Sequence, residues 1–130
     1  MLKKNHFLLV LGSSSTYRAE ILSNIGVNFI QMSPSFSEHI LPKESPKSAV
    51  IRLAQGKALS LEVNFDQYVI VASDQIAHQG NRIFNKPGNY ATAFKQLQQF
   101  QGEWVSYTSS LYLLTHEGEC KGSAETFEVN

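Results

Sequence analysis

Residues 6–22 constrain the fold more than any other part of the chain, because they join a strand pattern to a helix pattern through a turn of small residues. A short apolar run predicts a buried strand at residues 6–12. Gly12 and three serines follow at once, and a helical apolar pattern then predicts a helix at about 15–25. A strand, a tight turn and a helix in this order are typical of the start of an α/β domain.

The turn after the first strand has two interpretations. In the first it binds phosphate, because the free N–H groups and the positive end of the helix dipole face it, Ser13 and Ser15 add hydroxyl donors, and Arg18 adds a forked cation. In the second a serine only caps the helix, since serine is a favoured N-cap residue. No Gly-Lys-Ser/Thr follows, so the turn is not a P-loop, and a single glycine excludes a dinucleotide fingerprint.

The composition predicts one domain whose anion site is local. The 130 residues include 11 basic and 11 acidic side chains, so no overall field attracts DNA or an acidic membrane. The single cysteine, Cys120, cannot form an internal disulfide, which fits a cytoplasmic location. The apolar runs are too short to cross a bilayer. We therefore expect no DNA partner and no membrane partner.

The middle of the chain predicts a strand, a loop, a helix and a central strand. The strand is placed at 27–32 and is followed by a loop at 33–45, which we expect to be mobile. A serine–proline start predicts a helix at 45–61. Its helical spacing predicts an inward face made of Ala49, Val50, Leu53, Ala54, Ala58 and Leu61. A continuous apolar run predicts a central strand at 68–72. Asp74 then stands at the carboxyl end of that strand, which is the edge where open α/β sheets bind ligands.

The remaining segments complete an α/β pattern. They predict a hairpin at 75–84, a loop at 86–89, a helix at 90–100, and two strands at 104–115 and 119–129. The fold class is α/β, with a mixed twisted sheet flanked by helices. Because the last strand has no closing helix, we expect an incomplete polypeptide or a partner over the sheet edge, such as the second copy in a homodimer.

Four separated segments resemble, in order and spacing, the Maf family of nucleoside triphosphate pyrophosphatases. The segments are residues 11–22, 44–58, 73–75 and 86–87. The resemblance implies that residues 1–130 form a single Maf-like domain of ITPase-like fold, truncated after the N-terminal two-thirds of the family's length. It also implies hydrolysis of a nucleoside triphosphate substrate to the monophosphate and pyrophosphate with a divalent metal, Mg or Mn.

The resemblance assigns roles to particular residues. Asp74 is the catalytic base that orients or deprotonates water. The candidate oxygen ligands of the metal are Glu38, Glu44 and Asp74, although Ser37 replaces the first acid of a family Asp-Glu pair. The side chains expected to bind phosphate are Ser13, Ser15, Arg18, Lys57 and Lys86.

Each of these residues also has a plain structural interpretation. Asp74 can simply end a strand and cap a turn. Lys57 and Lys86 can be solvated surface lysines, or lysines whose stems lie along apolar surface. Glu44 can be a favourable charge ahead of a helix start.

Two positions bear on the choice of nucleotide. Tyr17 and Gln75 are similar to the residues of the subgroup that acts on 7-methyl-GTP, whereas dTTP/UTP-type members tend to have Arg and Thr there. Methylated guanine is cationic, and a cation over an aromatic face gains about 0.5–2 kcal/mol. The alternatives are hydrolysis of dTTP or UTP, and a non-catalytic nucleotide-binding protein with a regulatory role related to septum formation.

Overall fold

The computed structural model describes residues 7–37, 39–84, 95, 98, 102, 104–118 and 120–129. Their helices and strands are β1 (Leu8–Gly12), α1 (Thr16–Asn24), β2 (Ile30–Met32), α2 (Pro46–Leu59), β3 (Tyr68–Gln79), β4 (Arg82–Phe84), β5 (Val105–Thr115) and β6 (Cys120–Val129). Glu38, Lys86, the loop predicted at 86–89 and nearly all of the helix predicted at 90–100 lie outside the described residues.

The described strands form one mixed sheet in the order β2-β1-β3-β5-β6, with β4 also paired to β3. β1 is parallel to both β2 and β3, whereas β5 is antiparallel to β3 and to β6. The predicted α/β class with a mixed sheet is confirmed. β2 covers only the end of the segment predicted for it.

β3 is longer than the sequence predicts, and this changes where Asp74 lies. The prediction of a strand ending at 72 and a separate hairpin strand starting at 75 is wrong, because β3 runs without a break from Tyr68 to Gln79. β5 pairs with β3 from Val69 to His78. The backbone N–H and C=O groups of β3 that face β5 therefore have hydrogen-bond partners there through the polar residues 73–75 as well. Asp74 is therefore inside the central strand and not at its end.

Helix α2 covers one face of the sheet. Ser45 caps it by accepting the N–H of Ser48, and Pro46 occupies the first turn. Its buried residues are Pro46, Ala49, Val50, Leu53, Ala54, Lys57 and Ala58. They pack on the alternate residues of β3 that face the helix, Ile70, Ala72, Asp74, Ile76 and His78. The helical periodicity therefore predicted the inward face of α2 correctly.

The loop predicted at 33–45 is tied to α2 at several points. The Ser35 N–H donates to Ser60 Oγ at 3.1 Å, and the guanidinium of Arg52 donates to the carbonyl oxygen of His39 at 2.6 Å. The ring of Phe36 lies where a side chain at Gly56 would be, so glycine is the residue that admits it. The loop is thus attached to α2 at residues 35, 36 and 39, and its mobility stays a prediction.

Helix α1 differs from α2 because it contains no buried residue. Ile21 and Ile25, at its carboxyl-terminal end, are 47% and 67% exposed. Among the residues that the structure describes, no helix has the length and apolar character needed to cross a membrane.

Candidate functional site

The turn between β1 and α1 is organised by its own serines. Ser13 is only 5% exposed, and its hydroxyl accepts the N–H of Ser15 at 3.0 Å. Ser15 has extended backbone angles and its hydroxyl accepts the N–H of Arg18 at 3.2 Å, as expected for an N-cap. The capping interpretation is therefore correct, and the turn is also preorganised at the positive end of a helix.

Capping leaves donors at the start of α1 for a ligand. The first N–H groups of a helix have no partner within the helix. Ser15 occupies two of the N–H groups near the start, those of Arg18 and Ala19. Within the described part of the chain, no hydrogen bond is made by the N–H groups of Thr16 and Tyr17 or by the guanidinium of Arg18. Backbone donors and a forked cation together suit an anionic oxygen cluster.

A buried ion pair joins α2 to β3. The Lys57 ammonium donates to Asp74 Oδ1 at 2.8 Å and to the Ser73 carbonyl at 3.3 Å. Lys57 is 6% exposed and Asp74 is 3% exposed, so the interpretation of Lys57 as a solvated surface lysine is wrong. The second carboxylate oxygen, Oδ2, accepts no hydrogen bond from the described residues, which leaves it for a water or a ligand.

Ser110 on β5 bonds to the backbone of Asp74, and sequence reasoning missed it. Its hydroxyl accepts the Asp74 N–H at 3.2 Å and donates to the Val50 carbonyl of α2 at 2.6 Å. One hydroxyl thus connects β5, β3 and α2 directly behind the ion pair. The only sequence signal was a small polar residue within an otherwise strand-like segment, which does not reveal its partners.

The register of the sheet brings the turn and the ion pair together. β1 pairs with β3 as far as Val71, and β4 pairs with β3 only from Ala77 onward. Among the described strands, residues 72–76 of β3 are therefore paired on the β5 side alone. β1 leaves the sheet at this opening, so Ser13 lies near the level of Ser73 on the neighbouring strand, β3. Neighbouring strands of a sheet are about 4.8 Å apart. Asp74 lies in the middle of the open edge.

The two predicted base-specificity residues lie in different places. Tyr17 is in the first turn of α1 and is 71% exposed. Gln75 follows Asp74 in an extended strand, so its side chain points to the opposite face of the sheet. There its amide donates to Ser109 Oγ at 3.0 Å. The structure therefore does not bring Gln75 together with the Lys57–Asp74 pair.

Glu44 is engaged by an arginine. Arg52 Nε lies 2.5 Å from Glu44 Oε2, its Nη2 lies 3.0 Å from Oε1, and Oε1 also accepts the Leu41 N–H. The hydrogen bonds from Arg52 lower the pKa of the Glu44 carboxyl, and Glu44 raises the pKa of Arg52. Both carboxylate oxygens of Glu44 are thus committed to other groups.

The predicted metal ligands do not form a metal site in the residues that the structure describes. Glu44 is bound to Arg52, and Asp74 contacts Lys57. No group of three or more His, Cys, Asp or Glu side chains in the described ranges is arranged to hold a metal ion. Glu38, the remaining predicted ligand, lies outside those ranges. Of the two predicted ligands that the structure describes, Asp74 is the one with a carboxylate oxygen, Oδ2, that accepts no hydrogen bond from the described residues.

Comparisons with known proteins identify the family of this chain. The profile of a family described as Maf-like protein matches residues 8–130. A 7-methyl-GTP pyrophosphatase of Idiomarina loihiensis is 38% identical over 124 residues, covering 93% of this chain and 63% of that protein. One of Hahella chejuensis is 41% identical over 113 residues, covering 86% and 57%. The chain thus spans less than two-thirds of the length of these curated relatives.

Two solved structures share the fold at low sequence identity. A nucleoside-triphosphatase / dITP/XTP pyrophosphatase from Mycobacterium abscessus gives a TM-score of 0.52 at 16% identity, covering 94% of this chain and 72% of that one. The Staphylococcus aureus Ham1 protein gives a TM-score of 0.50 at 13% identity, covering 92% and 69%. These likenesses support the ITPase-like fold that the sequence predicts.

Proposed function

The chain belongs to the family of Maf-like proteins, and from this premise we propose that it hydrolyses a nucleoside triphosphate to the monophosphate and pyrophosphate. One observation carries the proposal. By the register of β1 on β3, the turn before α1 reaches the level of Ser73 at the opening beside β3, and the buried carboxylate of the following residue, Asp74, is held there by Lys57. Donors for a polyphosphate and a base for water are the two requirements of this reaction.

In the proposed reaction the turn and its cations bind the phosphates. The N–H groups of Thr16 and Tyr17, the hydroxyls of Ser13 and Ser15, and the Arg18 guanidinium supply donors. Lys57, and Lys86 by resemblance, add positive charge near the anhydride that breaks. These groups stabilise the negative charge that develops on the departing pyrophosphate.

Asp74 is the proposed general base. Lys57 fixes Oδ1, and Oδ2 accepts a proton from the attacking water. The water oxygen bonds to the α-phosphorus, the bond to the bridging oxygen breaks, and pyrophosphate leaves with that electron pair. The divalent cation that the family implies, Mg or Mn, would reduce the charge on the phosphates when bound.

We further propose 7-methyl-GTP as the substrate. The curated relatives bear that name, and Tyr17 offers an exposed ring in the same helical turn as Arg18. A cationic purine over that ring gains about 0.5–2 kcal/mol. Gln75 lies on the other face of the sheet, so Tyr17 is the specificity residue that this proposal relies on.

The test is pyrophosphate release with magnesium or manganese from 7-methyl-GTP, GTP, dTTP, UTP and CTP. We expect 7-methyl-GTP to be cleaved preferentially, and Asp74→Asn to lower the rate by about 10²–10⁴-fold. Asp66→Asn, at an exposed aspartate just before β3, is the matched control and should be unaffected. An Asp74→Asn variant that is folded and fully active would exclude Asp74 as the base. Preference for dTTP or UTP would support the alternative substrates, and binding without release would support the non-catalytic alternative.

A further inference from the structure

Gln31, on β2, bonds to the turn from outside the site. Its side-chain amide donates to the Ser13 carbonyl at 2.8 Å and to the Ser15 carbonyl at 3.2 Å. Both partners are carbonyl oxygens, so only the NH₂ end of the amide fits there. We propose that Gln31 is a positioning residue that aims the backbone donors of the turn at the phosphates. This inference rests on the phosphate-binding role proposed above for the turn.

The geometry of the peptide unit gives the reason. In a trans peptide the C=O bond of one residue and the N–H bond of the next point in opposite directions, and the described chain has no cis peptide. Holding the Ser13 and Ser15 carbonyls toward Gln31 therefore turns the N–H groups of Ser14 and Thr16 away from it. One amide with two hydrogens fixes two peptide planes at once.

The bonds within the turn leave these two donors available. The N–H of Ser15 bonds to Ser13 Oγ, and the Ser15 carbonyl also accepts the N–H of Ala19. The N–H groups of Ser14 and Thr16 make no hydrogen bond with the residues that the structure describes. A carbonyl that accepts a hydrogen bond also polarises the N–H of the same peptide, which strengthens its bond to an anion.

The role requires a neutral donor of this length. Glutamate has the same shape but presents acceptor oxygens to the two carbonyls, so it should repel them and the phosphates. Methionine has a similar volume and no donor. Gln31→Met and Gln31→Glu therefore separate the hydrogen bonds from the packing of the strand. Ile30→Met, at the adjacent exposed position of β2, is the matched control.

The experiment measures the binding of inorganic tripolyphosphate by calorimetry in this chain and in the three variants, together with urea unfolding. We expect Gln31→Met to weaken binding by about 3–10-fold, Gln31→Glu to weaken it more, and Ile30→Met to leave it unchanged. In ¹⁵N-resolved NMR spectra, the amide signals of Ser14 and Thr16 should move in Gln31→Met, and those of β5 should not.

The outcomes separate this inference from the proposed function. Tripolyphosphate binding that depends on Gln31, without pyrophosphate release from any nucleotide, would support the positioning role and overturn the enzyme. Pyrophosphate release with equal affinities in all variants would overturn the positioning role alone. Absence of tripolyphosphate binding by the unmodified chain would also overturn it. If release occurs, the KM should rise in Gln31→Met by the same factor as the dissociation constant, with kcat little changed.

Discussion

Helices α1 and α2 begin in the same way but are held by different means. Each has a serine cap whose hydroxyl accepts the N–H three residues later. Helix α2 then buries seven residues against β3 and β5, whereas α1 buries none. The interactions that hold α1 are concentrated at its first turn, where Ser15 and Gln31 bind the backbone. Packing thus fixes the position of α2, and hydrogen bonds fix the start of α1.

This contrast corresponds to the two tasks of the proposed site. Helix α2 brings a charged side chain, Lys57, into the core and holds it on Asp74. Helix α1 presents backbone donors, and for that only its first turn needs a fixed position. The four predictions below test the contrast, from the largest expected effect on stability to the smallest.

The largest effect is expected at the buried ion pair. Lys57→Met leaves the Asp74 carboxylate buried without its partner, which should lower the free energy of unfolding by about 3–5 kcal/mol. Lys47→Met, at an exposed lysine on the same helix, should change it by less than about 0.5 kcal/mol. Urea unfolding monitored by circular dichroism measures both. Equal small effects would show that the pair does not hold α2 on the sheet.

The second prediction compares apolar side chains on the two helices. Leu53 is fully buried, so Leu53→Ala should lower the free energy of unfolding by about 2–5 kcal/mol. Ile21→Ala on α1 removes a half-exposed side chain and should cost much less, on the order of 0.5 kcal/mol. The same urea titrations serve for the comparison. A large loss in Ile21→Ala would mean that α1 is also held by packing.

The third prediction concerns the two caps. Ser15→Ala and Ser45→Ala each remove one hydrogen bond to a helix start, worth about 1 kcal/mol. Because α1 buries nothing, its cap should act locally, and hydrogen exchange should accelerate in α1 alone. Loss of the cap in Ser45→Ala should reduce protection from hydrogen exchange in α2 and also in β3, because α2 packs on β3. If exchange in β3 accelerates equally in both variants, the two helices are not independent.

The smallest effect is expected from the Glu44–Arg52 pair at the start of α2. The pKa of Glu44 is lower in the folded chain than in the unfolded chain, so the unfolded state binds more protons as the pH falls. The stabilisation is therefore complete above the ordinary glutamate pKa of about 4.3 and is lost as the pH falls through the lowered value. At pH 7 we expect the free energy of unfolding of the unmodified chain to exceed that of Glu44→Gln by at most about 1 kcal/mol.

The control for this prediction is Glu20→Gln on α1, where the glutamate is exposed. The difference in unfolding free energy between the unmodified chain and Glu44→Gln, measured at several pH values, should shrink toward zero in acid. A difference that is constant between pH 7 and pH 3 would contradict the assignment of the effect to the Glu44 carboxylate.

Local patterns in the sequence predicted the local elements well. The apolar spacing predicted the inward face of α2, and the serine–proline pair predicted where its first turn begins. The apolar run before Gly12 gave β1. These features depend on residues within one turn or one strand of each other, so the sequence carries them directly.

Features that depend on distant partners could not be predicted in this way. The continuity of β3 depends on β5, whose paired residues lie from 28 (His78↔Ser106) to 46 (Val69↔Thr115) positions further along the chain. Gln31 and Ser110 matter because of which carbonyls they reach, and no spacing in the sequence encodes that. The position of Gln75 on the opposite face from Asp74 was predictable in part, since adjacent residues of a continuous strand face opposite ways. Recognising β3 as unbroken would have separated Gln75 from Asp74.

The contact between Phe36 and Gly56 has an evolutionary consequence. A side chain at position 56 would occupy the space that the aromatic ring fills, so the two positions constrain each other. Alanine would favour the helix by about 1 kcal/mol relative to glycine, but it requires the ring of Phe36 to move aside or to be replaced. The glycine in the middle of α2 is thus tied to the large side chain at position 36, and a change at one position requires an adjustment at the other.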